Sequence, residues 1–291
     1  MKVLITGAEG QLGRELQVEC PPGTDLVVTD RQDLDITDPQ LTRQALAEIR
    51  PDVVINAAAY TAVDQAEAEE AVAFAINADG AGSLARATAS LGARMVQIST
   101  DFVFDGHRNR PYPPDAPAEP LGVYGATKLA GERQVLATLG DNALVIRTAW
   151  VYSRFGHNFV KTMLRLMTER DEISVVVDQI GSPTWARGLA KAIWRACSTD
   201  LVGIHHWTDA GVASWYDFAV AIQEEATPLG LSSPETRVRP VPTESYPTAA
   251  KRPRYSVLDT TSTHQVLAIE ATHWRRQLRT MLQELHEHGE D

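Results

Sequence analysis

The sequence predicts an α/β fold: a doubly wound parallel sheet of the Rossmann type with a smaller C-terminal substrate-binding part. Three observations lead there. Short apolar runs rich in β-branched residues alternate with longer helical patterns through the first half of the chain. Those runs are continuous rather than alternating, as in strands covered on both faces. A glycine-rich turn follows the first run directly.

Taken in order, the strand candidates are Lys2–Thr6, 26–29, Val53–Asn56, 95–99 and 144–147. The helix candidates between them are 12–18, 40–49, 66–91 (interrupted near residues 80–82) and 127–139. From about Trp150 the pattern loosens. Helices are expected over 159–170, 189–197 and Trp215–Ala226, the last with Ser214 as N-cap, and a strand over 203–207. A proline-rich stretch between Pro228 and Pro253 precedes a final helix, Trp274–His288. The expected organisation is a dinucleotide-binding domain over 1–150 and a mainly substrate-binding part over 151–291, with segments that can cross back.

Composition narrows the function classes. The 27 Lys and Arg against 38 Asp and Glu leave a net charge of −11, which repels a phosphate backbone, so no nucleic-acid partner is expected. A small phosphorylated ligand at a helix N-terminus stays open. The only two cysteines, Cys20 and Cys197, lie far apart; this excludes a disulfide scaffold and a zinc ribbon and fits a reducing compartment. No run approaches the ~20 apolar residues of a membrane span, and MKVLITG is too short for a signal-peptide core. A cytoplasmic protein with no membrane partner is the expectation. The histidines do not assemble into a ligand set, so no metal is expected.

The turn Gly7-Ala8-Glu9-Gly10-Gln11-Leu12-Gly13 has the spacing G-x-x-G-x-x-G between a strand and a helix. Missing Cβ atoms there let a pyrophosphate approach the backbone and settle on the helix N-terminus. Asp30-Arg31 follows the second strand, where the adenosine ribose is read. Asp30 favours a free 2′-hydroxyl and Arg31 a 2′-phosphate, so NADPH and NADH both remain candidates. Tyr124 and Lys128 stand four apart; on a helix they share a face, and the cation favours the phenolate of a tyrosine that trades protons with a sugar oxygen. Ser99-Thr100-Asp101 ends the fourth strand at the ligand edge of the sheet, where a hydroxyl can bind a reacting carbonyl. Position alone does not choose between Ser99 and Thr100.

Together with Asn56-Ala57-Ala58-Ala59, these motifs resemble the extended short-chain dehydrogenase/reductase superfamily. Narrower segments resemble the dTDP-4-dehydrorhamnose reductases: AYTAVD at 59–64, STDFVFDG at 99–106, RTAWVY at 147–152, Asn158-Phe159, DQIGSPT at 178–184 and Arg252-Pro253. The likeness runs from the first strand to the final helix. It implies an oxidoreductase that carries hydride from NADPH, or NADH, to C4 of dTDP-4-dehydro-L-rhamnose, giving dTDP-L-rhamnose. Thr100 would hold the keto oxygen, Tyr124 would supply the proton, and Lys128 would tune Tyr124 and hold the nicotinamide ribose. The implied cofactor set is Gly7, Gly10, Gln11, Leu12, Gly13, Asp30, Arg31, Asp35, Ile36, Asn56, Ala57, Ala58 and Ala59 with Tyr124 and Lys128. The implied sugar-nucleotide set is Thr61, Val63, Thr100, Asp101, Phe102, Trp150 and Asn158, with Arg252 and Arg254 as candidate diphosphate partners.

Related dehydratases carry an acid pair after the active-site threonine. Here Asp101 is followed by Phe102, which removes that chemistry. Epimerases usually have longer C-terminal parts. Two departures from the reductase pattern stand out. Phe102 replaces a common tyrosine, and Arg187 stands where a metal-bridged dimer of some members needs a glutamate, so Glu15 is read as an acid in a first helical turn. A homodimer is left open. The rivals are a reductase of another dTDP-4-keto-6-deoxysugar and a non-catalytic cofactor-binding module, since the family is similar to the regulatory subunit of methionine adenosyltransferase. The presence of Thr100, Tyr124 and Lys128 together argues for the enzyme.

Overall fold

The computed structural model describes residues 1–289. Strands β1 (Lys2–Thr6), β2 (Asp25–Thr29), β3 (Val53–Asn56), β4 (Arg94–Thr100) and β5 (Ala143–Thr148) alternate with helices α1 (Gln11–Val18), α2 (Pro39–Ile49), α3 (Val63–Ala66), α4 (Glu70–Phe74), α5 (Ala81–Ser90) and α6 (Val123–Leu139). The later elements are β6 (Val151–Tyr152), α7 (Phe159–Glu169), β7 (Glu172–Val176), β8 (Ile180–Gly181), β9 (Thr184–Trp185), α8 (Ala186–Cys197), β10 (Gly203–His206), β11 (Ala213–Ser214), α9 (Trp215–Ala226), β12 (Arg237–Val241), α10 (Thr261–Leu267) and α11 (Trp274–His288).

The main sheet is wholly parallel, in the order β10-β5-β4-β3-β1-β2. Its sixth strand comes from the C-terminal half, so residues 203–206 cross back to complete it. Strand residues alternate between two cores, as a period of two requires. Val3, Ile5, Val53, Ile55, Leu144 and Ile146 face α1 and α8, whereas Leu4, Val54, Met95 and Ala143 face α2, α5 and α6. A third core joins Val160 and Met163 of α7, Phe218 and Ile222 of α9, and Leu278 and Leu282 of α11. Among the described residues no helix is long and apolar enough to cross a membrane.

Several boundaries differ from the sequence reading. The long helix expected over 66–91 is divided into α3, α4, a π-helical stretch (Ala75–Gly80) and α5. Within the π-helical stretch the Asn77 amide accepts the Tyr60 N–H at 2.9 Å and donates to the Tyr60 carbonyl and the Thr127 hydroxyl at 3.1 and 3.0 Å. Widening the helix there brings one side chain to both the loop after β3 and helix α6, as π-bulges at functional sites do. Helix α6 begins at Val123, four residues before the expected start, which places Tyr124 in its first turn.

Glu15 requires a correction. It is the fifth residue of α1, beyond the first turn, and is fully buried. Its carboxylate accepts the Ser153 hydroxyl at 2.6 Å and the Arg187 Nε–H at 2.9 Å, and Arg187 also pairs with Glu284. A helix dipole is not what keeps it there: a buried acid is tolerated because a guanidinium neutralises it.

Candidate active site

The carboxyl ends of β1 and β3–β5, the loops that follow them and the start of α6 enclose a cavity of about 850 Å³. This is where an open parallel sheet presents ligands. The glycine turn forms one end. Gly7 has φ +71°, and a Cβ there would lie 2.6 Å from the Ala58 nitrogen of the neighbouring loop, so only glycine fits. A Cβ on Gly13 would lie 2.3 Å from the Gly7 carbonyl oxygen. Gly10 caps α1 without a side chain to satisfy the first-turn amides, which leaves those donors facing the cavity for an anion. A pyrophosphate-bearing dinucleotide fits that cradle.

At the adenosine end Asp30 and Arg31 separate in role. The Asp30 Oδ1 accepts the backbone N–H groups of Gln32 at 2.7 Å and Asp33 at 3.3 Å, so it shapes the turn after β2. The Arg31 side chain is 82% exposed at the cavity rim, 3.9 Å from Asp35. Asp35 is tied to Thr37 through hydroxyl and amide donors, which hold its carboxyl below the usual range. The exposed guanidinium suits a 2′-phosphate.

The reacting end is built by close approach of α6 to the end of β4. A Cβ on Gly125 would lie 2.1 Å from the Phe102 carbonyl oxygen, so the glycine after Tyr124 lets the helix rest on that loop. Tyr124 and Thr100 consequently line the same end of the cavity. The Thr100 hydroxyl lies 3.1 Å from the Asp101 Oδ1, and the Phe102 and Tyr124 rings meet edge to face at 5.6 Å between centroids. Both Ser99 and Thr100 line the cavity; the Ser99 hydroxyl is buried without a partner, whereas the Thr100 hydroxyl donates to Asp101 and accepts the Phe102 N–H.

Burial dominates the ionisation of this cluster. It pushes the Tyr124 phenol up to about 12, opposed by its bond to Thr100 and reinforced by the Asp101 charge. It pulls Lys128 down to about 8, opposed by the Glu132 carboxylate one turn on. It raises the Asp101 carboxyl to about 6, against the hydrogen bonds from Ser256 and Thr100. Burial is the largest influence on the phenol and leaves it protonated at neutral pH.

Most of the residues singled out in the sequence converge on this one cavity. Gly7, Gly10, Gln11, Leu12 and Gly13 line one end, with Asp30, Arg31, Asp35 and Ile36 beside them. Ala57, Ala58, Ala59, Thr61 and Val63 form the middle, and Thr100, Asp101, Phe102, Tyr124, Lys128, Trp150 and Arg252 the far end. Three do not line it. Asn56 is buried, accepting the Thr6 hydroxyl at 2.7 Å and the Ala58 N–H at 3.2 Å while donating to Gln97, so it shapes the loop after β3. Asn158 caps α7 and gives its amide to Gln11 and to the Ser153 carbonyl. Arg254 pairs with Glu244 in solvent. Arg252 lies on the wall but is held by both oxygens of Asp64, at 3.0 and 2.7 Å, which reduces its charge toward a diphosphate. Sequence reasoning missed Trp215, which lines the cavity from the start of α9; only its place after a capping serine hinted at a fixed position.

Residues 1–287 match the family described as the RmlD substrate binding domain. A dTDP-4-dehydrorhamnose reductase of Burkholderia thailandensis is 42% identical over 290 residues, which cover 94% of this chain and 96% of that protein. The crystal structure of a dTDP-4-dehydrorhamnose reductase from Clostridium acetobutylicum superposes with a TM-score of 0.92 at 42% identity, covering 98% of this chain and 99% of that one. The enzyme of the same name from Bacillus anthracis, solved in complex with NADP, also gives a TM-score of 0.92 at 42% identity, covering 97% and 99%. With the sequence, the fold and the cavity in agreement, the chain belongs to the dTDP-4-dehydrorhamnose reductase family.

Proposed function

We propose that this protein reduces the C4 keto group of dTDP-4-dehydro-L-rhamnose to give dTDP-L-rhamnose, with NADPH as the preferred reductant. The observation that carries the reading is the convergence of Thr100, Tyr124 and buried Lys128 on the same cavity as the glycine cradle. The glycine cradle would hold NADPH and Arg31 would meet its 2′-phosphate, and the bound cofactor would supply the hydride.

The chain's own residues do the rest. The Thr100 hydroxyl donates a hydrogen bond to the keto oxygen, favouring the charge that develops there. Tyr124, still a phenol because burial holds its pKa high, passes its proton to that oxygen as the alkoxide forms. Lys128 places a cation beside the reacting end and a donor toward the nicotinamide ribose. The loop Ala57–Ala59, drawn in by the Thr6 carbonyl and by Asn56, lines the middle of the cofactor path. Residues 151–291 add Val151, Leu189, Trp215 and Arg252 to the cavity wall, whose other lining residues come from the first 150. Both cysteines are free, Cys197 being buried, which fits work in the reducing cytoplasm.

The test is oxidation of reduced nicotinamide on mixing the protein with dTDP-4-dehydrorhamnose. Turnover is expected with both cofactors and a lower KM for NADPH. Arg31→Ala should raise the NADPH KM about tenfold, the value of one charge-assisted phosphate contact, and leave the NADH KM unchanged. Equal effects on the two cofactors would remove Arg31 from the 2′-phosphate site. Cofactor binding without any turnover would favour the regulatory-type module.

A pH dependence follows from Lys128. Its folded-state pKa of about 8 means the ammonium is present below that pH and lost above it. The kcat/KM for the sugar nucleotide is expected to fall on the alkaline side with an apparent pKa near that value. A profile flat to pH ~10, the unperturbed lysine range, would show that the charge on Lys128 is not required.

A further inference from the structure

Trp150 is one of only three described non-glycine residues with positive φ, at +47°. Such a conformation is strained for a bulky side chain and persists only where the surroundings fix it. Here two segments distant in sequence do so. The Trp150 carbonyl accepts the Thr184 N–H at 3.1 Å. The Trp150 and Trp215 rings lie 3.5 Å apart between centroids and within 5° of parallel. Gly181 abuts the same indole so closely that a Cβ would stand 2.6 Å from Cε2 and 2.7 Å from Nε1.

The two flanking residues are themselves fixed. Gly181 in β8 pairs with Ala213 in β11, and β11 runs straight into α9. Ser214 caps that helix through a reciprocal box with Asp217, which sets Trp215 as its first residue. Phe159 tilts against Trp215 at 4.6 Å between centroids, backing the pair from α7. Trp150 lies two residues after Thr148, the β5 neighbour of Thr100 in the sheet register. The stacked pair therefore stands at the reacting end of the cavity, remote from the Arg31 end, and both indoles line it.

We propose that Trp215 and Gly181 are positioning residues for the reduction: they clamp the Trp150 indole as a rigid apolar wall against which the 4-keto-6-deoxysugar ring is oriented toward Thr100 and Tyr124. The inference rests on the reading of this site as a dTDP-4-keto-sugar reductase. An indole wall suits a deoxysugar because its C–H groups find an apolar surface, and because a wall that does not move spends no binding energy on ordering itself.

The experiment is steady-state kinetics on Trp215→Ala, Trp215→Phe and Gly181→Ala, each with its melting temperature recorded. Trp215→Ala is expected to raise the sugar-nucleotide KM by about tenfold or more while the NADPH KM stays within about twofold. Trp215→Phe, which keeps an aromatic face, should recover most of the loss. Gly181→Ala inserts a Cβ against the indole and should reproduce the loss with Trp215 intact, so the inference survives a poorly folding Trp215→Ala. An unchanged sugar-nucleotide KM in Gly181→Ala and in the folded Trp215 variants would overturn the proposal. So would a parallel rise of both KM values with a falling melting temperature, which marks a purely structural role. Wild-type protein that fails to turn over dTDP-4-dehydrorhamnose would instead overturn the underlying reading of the site.

Discussion

Tyr124→Phe is expected to lower kcat by about 10²–10⁴-fold, the usual worth of a positioned general acid, while the dissociation constant for NADPH changes little. The phenylalanine keeps the ring and its edge-to-face contact with Phe102, so the wall of the cavity is retained and only the proton is removed. The raised pKa sharpens the expectation: at neutral pH the phenol is loaded for donation, as a reduction requires. Stopped-flow oxidation of bound NADPH by the sugar nucleotide, with cofactor affinity titrated separately, checks both halves. A variant with undiminished kcat would transfer the donor role to another group lining the cavity, such as Asp101, whose buried carboxyl is raised to about 6.

That cluster also shows what a sequence can and cannot reveal. Tyr124 and Lys128 were legible because a spacing of four survives translation into a helix turn. The sheet was legible because strands covered on both faces must be continuously apolar. Thr100 could not be told from Ser99, since the choice depends on where α6 lands, and that landing is set by a glycine touching a carbonyl 23 positions back in the chain. Glu15 was misread for the same reason: its partners Arg187 and Ser153 lie far along the chain, and nothing local to α1 announces them. Trp215 was missed because an aromatic residue at a helix start looks the same whether it fills a core or faces a ligand. Local periodicity is written in neighbouring residues; a cavity is made by residues that are neighbours only after folding.

Glu132→Gln is expected to cost about 3–5 kcal/mol, the usual result of removing one partner from a buried ion pair, and to lower Tm by roughly 5–10 °C for a chain of this size. Glu132 is 1% exposed and meets the Arg147 guanidinium at 2.9 and 2.7 Å, and Arg147 is 2% exposed. Arg147 also donates to the Pro114 carbonyl at 3.2 Å and lies over the Phe104 ring, so its charge cannot relocate to water when the carboxylate is lost. The same carboxylate supports the charge on Lys128 four residues earlier, against a desolvation that pulls the amine toward neutrality. Its loss should therefore move the alkaline limb of kcat/KM to lower pH, because Lys128 then deprotonates more readily. Differential scanning calorimetry and a pH–rate profile on one preparation separate the two effects. A lowered Tm with an unmoved limb would confine Glu132 to holding α6 against β5; a shift of the limb to lower pH would make it the charge that keeps Lys128 protonated at the reacting end.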